Sequence, residues 1–193
     1  KIKVDETDSS NFIQDALNWF FENEESGIIC ESGHLPDTEC FYSIENLLYE
    51  YEAEEKILGI TSIDPVVFDS VNENSLSLFT NNTYNIFGTW RSKWKHFDNE
   101  MSEFPYFISD EFFDNNKSAA VDLDSIKRNL FNAYCDIQNS FFVKWNFYVL
   151  MKNSSMVLIS TKDSEKELRY LTTDFSEFRI SKEIKSERIA QCF

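Results

Sequence analysis

Apolar residues recur every three or four positions near the start of the chain, which is the spacing of one face of a helix. These apolar positions are Ile13, Ala16, Leu17, Phe20 and Phe21. We predict a helix over residues 9–25, capped by Ser9 or Ser10, because a serine hydroxyl can bond the free backbone N–H groups of a first turn. Gly27 is predicted to stop it, and residues 27–30 are predicted to form a short strand.

A second helix is predicted to open at Ser43 and to end at Gly59. Its inner stripe would be Ile44, Leu47, Leu48, Tyr51 and Leu58. In the middle of the chain, residues 65–68 and 76–79 are strand candidates. Between residues 84 and 101, aromatic residues three or four positions apart predict an aromatic helix, and residues 103–116 are predicted to be irregular.

The last third is predicted to open with a helix capped by Asp122 or Asp124, because its apolar residues keep helical spacing. That stripe is Leu123, Ile126, Leu130, Tyr134, Ile137 and Phe141. Alternating side chains over residues 143–149 predict a strand, paired through a turn at 152–155 with a second strand over 156–161. A short helix from Asp163 or Ser164, a strand over 175–180 and a helix over 182–190 complete the prediction.

These elements predict an α+β fold in which N-terminal helices pack on a small antiparallel sheet contributed largely by the C-terminal third. The chain has 193 residues, 42% of them hydrophobic, and the 19 Phe, 8 Tyr and 4 Trp supply ample material for a core. Neither a repeat nor a linker composition interrupts it. We therefore predict one globular domain over residues 1–193.

Charge is distributed unevenly along the chain. The formal net charge is −16. Residues 1–60 hold 15 acidic and 3 basic residues, and no Lys or Arg occurs between Val4 and Glu55. A helix that needs only solubility usually mixes signs, because Glu–Lys pairs one turn apart stabilise it. The pattern favours a binding surface, although chance clustering, or neutralisation by basic residues of the C-terminal third, would also account for it.

A negative surface favours a basic protein partner, because a cationic partner is steered towards it. The same charge opposes direct binding to nucleic acid and to anionic membranes, both of which require Lys and Arg. The predicted partner-binding residues are Glu45, Tyr49, Glu52 and Glu55, with a second patch of Glu22, Glu24 and Glu25. Tyr49 stands out because a tyrosine among carboxylates is typical of an interface anchor; a position at the rim of the core would explain it equally well.

Candidate chemistry is sparse, and we predict no catalytic residue, metal or cofactor. The histidines are His34 and His96, and neither lies in a nucleophile motif. Cys30-x3-His34-x5-Cys40 offers three soft ligands with no common zinc spacing, and a fourth would have to come from far away, such as Cys135. Buried free thiols are the expected state of the cysteines. The basic, aromatic stretch 90–96 is more typical of a core helix than of a nucleic-acid platform.

The predicted strand pair near the C-terminus resembles the ending of small bacterial proteins of the immunity type. The residues concerned are 142–150 (FVKWNFYVL), 156–161 (MVLIST) and 163–165 (DSE). This resemblance covers the strand pair alone, and no functional residue is carried over from it. It implies a cytoplasmic inhibitor that masks a toxin domain.

Three hypotheses remain open at this point. The first is an immunity-like inhibitor whose acidic surface covers the basic groove of a nuclease-type toxin. The second is a nucleic-acid mimic of the anti-restriction or anti-defence type, and the third is an enzyme of unrecognised type that uses His34 or His96. A cytoplasmic location is predicted because no apolar stretch approaches the roughly 20 residues that span a bilayer and the first residues do not form a signal peptide. Secretion after removal of an upstream signal peptide is the alternative left open. The oligomeric state is left open.

Overall fold

A computed structural model describes residues 9–30, 38–62, 86–108, 123–137, 141–162 and 165–172. The helices in these ranges are α1 (Ser9–Asn23), α2 (Thr38–Glu50), α3 (Arg91–Trp94), α4 (Phe104–Ile108), α5 (Leu123–Tyr134) and α6 (Phe141–Met151). The strands are β1 (Ser26–Cys30), β2 (Ile57–Ser62), β3 (Ile86–Trp90), β4 (Ser155–Lys162) and β5 (Glu165–Thr172). The strands predicted at 65–68, 76–79 and 175–180 and the helix at 182–190 lie outside the described residues.

The five strands form one sheet in the order β1-β3-β2-β4-β5. All neighbouring pairs are antiparallel except β2 and β4, which are parallel. The predicted α+β class is confirmed. In detail the sheet is mixed, and three of its five strands precede α3, whereas the sequence predicted an antiparallel sheet drawn mainly from the C-terminal third.

Helices cover both faces of this sheet. On one face, Ile44, Leu47 and Leu48 of α2 pack on residues of β2, β3 and β4, including Ile60 and Ile86. On the other face, α1 and α6 pack on Leu58, Phe87 and Met156. A further layer lies behind α6, where α4 and α5 share a buried cluster with it. The molecule therefore has α2, the sheet, α6 with α1, and α5 with α4 in successive layers.

Helix α6 occupies the residues that were predicted as the strand 143–149, so that prediction was wrong. Lys144, Asn146 and Tyr148 were taken for the polar face of a strand, but all three are buried. Because α6 lies between the sheet and α5, it is apolar on every side, and a continuous apolar run does not distinguish a buried helix from a buried strand. The Lys144 ammonium forms a 2.7 Å ion pair with Asp136, beyond the end of α5.

The second predicted helix was misplaced. Helix α2 begins at Thr38 and ends at Glu50, so Ser43 lies inside it and donates a hydrogen bond of 2.6 Å to the carbonyl of Glu39. Leu58 and Gly59, predicted to finish that helix, lie in β2. The apolar residues of β2 continue the helical spacing of α2 by coincidence, which is why one pattern covered two elements.

The helix predicted over residues 84–101 was also wrong. Residues 86–90 form β3, which lies between β1 and β2 in the sheet and is antiparallel to both. The short helix α3 follows it. Phe87 and Trp90 point to opposite faces of the sheet, into the clusters of α6 and α2. Aromatic residues suit a buried strand as well as a helix.

Three smaller differences concern the rest of the chain. Residues 165–172 form β5 instead of the predicted short helix. Helix α5 ends at Tyr134, so Ile137 and Phe141 do not extend its stripe. The range 103–116, predicted as irregular, contains α4. The predictions of α1, β1 and β4 are confirmed to within a few residues.

Buried polar groups tie α2 to the sheet. The indole N–H of Trp90 donates a 2.9 Å hydrogen bond to the carbonyl of Leu48, in the last turn of α2. Carbonyls in a last helical turn lack partners within the helix, so this bond satisfies one of them. The C-terminal end of α2 is thus held in a fixed position on the sheet.

Within the sheet, the hydroxyls of Thr61 and Thr89 donate hydrogen bonds to carbonyls of neighbouring strands at 2.8 and 2.7 Å.

Candidate protein-binding surface

The two predicted acidic patches meet at one end of the sheet. Glu24 and Glu25 directly precede β1, and residues 52–55 precede β2, with Lys56 between them and the strand. Ser26 pairs with Trp90 at the end of β3, and β3 is antiparallel to both β1 and β2. The starts of β1 and β2 therefore lie together, beside the end of β3. We call this region, made of Glu24, Glu25 and residues 52–55, the acidic end of the sheet.

Helix α3 places two cations between the patches. The Arg91 guanidinium forms a 2.8 Å ion pair with Glu25 and donates a 3.1 Å hydrogen bond to the carbonyl of Glu24. The Lys93 ammonium donates a 3.0 Å hydrogen bond to the carbonyl of Glu54. Partial burial lowers the pKa of Lys93, and the carboxylates of Glu55 and Glu54 oppose that shift. The acidic end is therefore partly neutralised, and by residues from the middle of the chain.

The other predicted acidic residues keep their charge exposed. Glu22 lies in the last turn of α1, Glu45 on α2, and Glu52 and Glu55 in the turn that leads to β2; all are exposed. Within the described ranges, Glu25 is the one member of the two patches that forms an ion pair. Apart from Glu25, and from Glu55, which lies near Lys93 and is followed by Lys56, the predicted carboxylates face solvent without a described cation beside them.

The outward face of α2 carries more aromatic surface than the sequence prediction recognised. Tyr49 is 85% exposed and Tyr42 is 61% exposed. They are seven residues apart, which places them on the same line of a helix, two turns from one another. Glu45 and Asn46 lie between them and are also exposed. Tyr42 was missed, although its spacing from Tyr49 was visible in the sequence.

A cleft of about 450 Å³ opens beside α6. Its lining combines His96, Asp98, Ser102, Glu103 and Lys152 with the apolar side chains of Phe147 and Met151 and with Tyr148. Asp98 is already occupied, because its carboxylate accepts hydrogen bonds from the backbone of Glu100 and from the backbone and hydroxyl of Ser102. The second histidine, His34, lies outside the described residues.

The Tyr148 hydroxyl at this cleft yields a prediction for alkaline pH. It donates a 3.3 Å hydrogen bond to the carbonyl of Lys93, and burial raises the pKa of Tyr148 to about 12. In the unfolded chain a tyrosine loses its proton near pH 10, at about its ordinary pKa. Above about pH 10 the tyrosine therefore ionises in the unfolded chain while it stays neutral in the folded protein, and this stabilises the unfolded state. The free energy of unfolding falls as the pH rises from the unfolded-state pKa towards the folded-state pKa.

We expect the free energy of unfolding of the wild type to fall more steeply than that of Tyr148→Phe as the pH rises from the unfolded towards the folded pKa. Urea unfolding of both proteins across this range measures the difference, which removes the contribution of every other titrating group. Parallel curves for the two proteins would contradict the prediction.

The proposed soft-ligand motif is only partly described. The expected burial of the thiols is confirmed for Cys40 but wrong for Cys30, which is exposed. Desolvation of the Cys30 thiol, together with the nearby Cys40, raises the pKa of Cys30. Cys135 is exposed beyond the end of α5. Among the described residues no group of three or more His, Cys, Asp or Glu side chains is arranged to hold a metal ion. In the same residues, no helix is both long and apolar enough to cross a membrane.

Compared with known protein families, with curated proteins and with solved structures, the chain shows no significant match.

Proposed function

We propose that this chain is a cytoplasmic inhibitor that binds a basic protein, and that its target is a nuclease-type toxin domain neutralised in the manner of immunity proteins. The observation that carries the proposal is the set of exposed carboxylates along α2 and at the acidic end of the sheet, most of which have no described cation beside them. Like charges held this close repel one another and cost stability. A cationic protein surface would relieve that repulsion on binding.

Two features favour a protein partner over mimicry of nucleic acid. A mimic requires a long row of carboxylates in place of phosphates, whereas exposed tyrosines interrupt the acids of α2. Arg91 and Lys93 further interrupt the negative charge at the acidic end. Tyrosine rings gain most when they are buried in a complementary protein surface, where the hydroxyl also finds a partner.

The test uses the basic protein that the tagged full chain captures from its native cell, for which the product of a neighbouring gene is the expected candidate. We expect the double variant Glu45→Lys with Glu52→Lys to bind it about tenfold more weakly than the wild type, mainly through slower association. The matched control is Asp15→Lys with Glu100→Lys, which changes the net charge equally at exposed positions outside both patches. Affinity is measured by calorimetry or surface plasmon resonance at several salt concentrations.

Raised salt should weaken binding of the wild type, because exposed charges are screened within about 10 Å at 0.1 M. Equal losses in the two double variants would show that net charge alone matters, and affinity independent of salt would remove the electrostatic basis of the proposal. In cells that express the toxin domain, the wild type and the control are expected to protect growth better than the patch variant.

A further inference from the structure

We propose that the outward face of α2 binds arginine side chains of the partner, with guanidinium groups stacked on Tyr42 and Tyr49 and held by Glu45. We call Tyr42, Glu45, Asn46 and Tyr49 the tyrosine ridge. This inference rests on the proposed function, since it assumes a basic protein partner, and it assigns the chemistry of recognition to one helix face and one residue type.

The geometry of the ridge suits alternating contacts. Successive residues of a helix rise 1.5 Å, so Tyr42 and Tyr49 lie about 10 Å apart along α2. Glu45 is one turn after Tyr42 and, with Asn46, about one turn before Tyr49, which makes these side chains neighbours on the helix surface. The carboxylate of Glu45 therefore lies beside both tyrosine rings, and each ring offers a flat apolar surface.

The exposure of the two rings needs a partner to explain it. Most aromatic residues of the described chain are packed in the core, for example Phe87, Trp94 and Trp145. Among the described residues, neither the Tyr42 nor the Tyr49 side chain takes part in a ring contact or a hydrogen bond. Single exposed aromatic residues are ordinary, but two on one line of one helix form a patch of the kind that marks an interaction site.

Arginine fits this patch better than lysine. The guanidinium group is planar, stacks on aromatic faces and is weakly hydrated, and it can donate two parallel hydrogen bonds to one carboxylate. A lysine ammonium is a strongly hydrated point charge that offers only one of these contacts well. Phosphate groups would be repelled by Glu45, so a nucleic acid does not fit the ridge.

Lys56, Arg91 and Lys93, which follow α2 and β3 in the chain, are already engaged. The Lys56 ammonium donates a 3.3 Å hydrogen bond to the carbonyl of Asn153. Arg91 is bonded to Glu25 and to the carbonyl of Glu24, and Lys93 to the carbonyl of Glu54. Within the described residues, neither forms an ion pair with Glu45. We therefore assign the charge that complements the ridge to another molecule.

The ridge is also held rigidly. The opposite side of α2 carries Ile44, Leu47 and Leu48, which are buried on the sheet, and Trp90 bonds the carbonyl of Leu48. A surface that is already ordered loses little conformational entropy on binding, so more of the free energy of its contacts contributes to affinity.

The experiment measures binding of designed helical peptides to the full chain by NMR titration. One peptide carries arginines two helical turns apart on an alanine background, a second carries lysines at the same positions, and a DNA duplex serves as the anionic probe. We expect the arginine peptide to bind about tenfold more tightly than the lysine peptide, with the shifts centred on α2. The DNA duplex is expected not to bind.

Variants test the rings directly. Tyr42→Ala and Tyr49→Ala are each expected to weaken binding of the arginine peptide by about tenfold, which is typical of interface anchors, whereas Tyr49→Phe keeps the ring and most of the affinity. The matched control is Trp19→Ala, since Trp19 is 67% exposed on α1, a helix that packs on the other face of the sheet. Circular dichroism confirms that each variant remains folded.

Equal affinity for the two peptides, or full affinity in Tyr42→Ala and Tyr49→Ala, would overturn the inference. If Glu52→Lys, which changes an exposed carboxylate outside the ridge, nevertheless weakened binding to the toxin domain, the proposed function would stand without the ridge. If the arginine peptide bound the ridge as expected and the toxin domain did not bind at all, the proposed function would fail and the ridge would remain a site for another arginine-bearing protein.

Discussion

Trp145→Ala is expected to lower the free energy of unfolding by about 4 kcal/mol, near the middle of the range for truncating a buried tryptophan. Trp145 is almost fully buried on α6, between the sheet and the loop that follows α3. Its ring lies 4.8 Å from that of Phe87 in an edge-to-face arrangement, 5.9 Å from Trp94 in a stacked one, and 5.1 Å from Phe97. The variant would leave a cavity where three elements meet.

Trp145→Phe separates the packing of the ring from its hydrogen bonding. The indole N–H of Trp145 is buried and has no hydrogen-bond partner in the described chain. The substitution by phenylalanine therefore reduces the packed volume but breaks no described hydrogen bond, and it removes a buried donor that has no described partner. We expect the free energy of unfolding to fall by only about 1 kcal/mol. Urea unfolding measures both variants, with Trp19→Ala as the exposed control at less than about 0.5 kcal/mol. Equal losses at Trp145 and Trp19 would contradict the layered fold.

Gly88→Ala is expected to cost about 2 kcal/mol, because β3 and α2 approach one another at this glycine. A Cβ atom at position 88 would lie 2.6 Å from Cγ2 of Ile44 and 3.3 Å from Cδ1 of Leu48. Ile44 is fully buried, and its branched side chain has little freedom to move away. The added methyl group would push α2, and with it the tyrosine ridge, off the sheet.

A second substitution tests that cause. Ile44→Leu moves the branch one carbon further out and so removes the methyl group that would clash, while the side-chain volume is kept. We expect Gly88→Ala with Ile44→Leu to be more stable than the sum of the two single changes predicts, as contacting residues are typically non-additive. Chemical denaturation of the four proteins gives the coupling energy, and strict additivity would show that the contact is not the source of the cost.

Local pattern was sufficient where one side of an element faces water. Helix α1 shows a stripe of apolar residues against a polar face, and that contrast predicted its type and approximate bounds. Strand β4 is the exception, because its side chains at residues 155–160 are all buried and it was predicted from a turn followed by a run of β-favouring residues. The exposure of Glu45, Glu52 and Tyr49 followed from the contrast of apolar and polar positions, since all three fall outside the apolar stripe predicted for the second helix.

Pattern failed where an element is buried on all sides. Helix α6 and strand β3 are both enclosed, so each carries apolar side chains in every direction and shows no polar face from which to read a period. Whether such a run of apolar residues forms a helix or a strand depends on the layers that enclose it. In α6 those layers are the helix α5, which precedes it in the chain, and the sheet, in which β2 and β3 come from distant parts of the sequence.

What the sequence by itself determined about this protein is its composition and the lengthwise placement of its charge: an aromatic, acidic chain whose first 55 residues carry almost all of the excess negative charge. Only the tertiary structure decided that Glu24 and Glu25 lie at the same end of the sheet as residues 52–55, and that Arg91 and Lys93 stand between them. The physical reason is strand order. Pairing between β1, β3 and β2 is set by packing across the whole sheet, and no local pattern encodes which strand ends become neighbours.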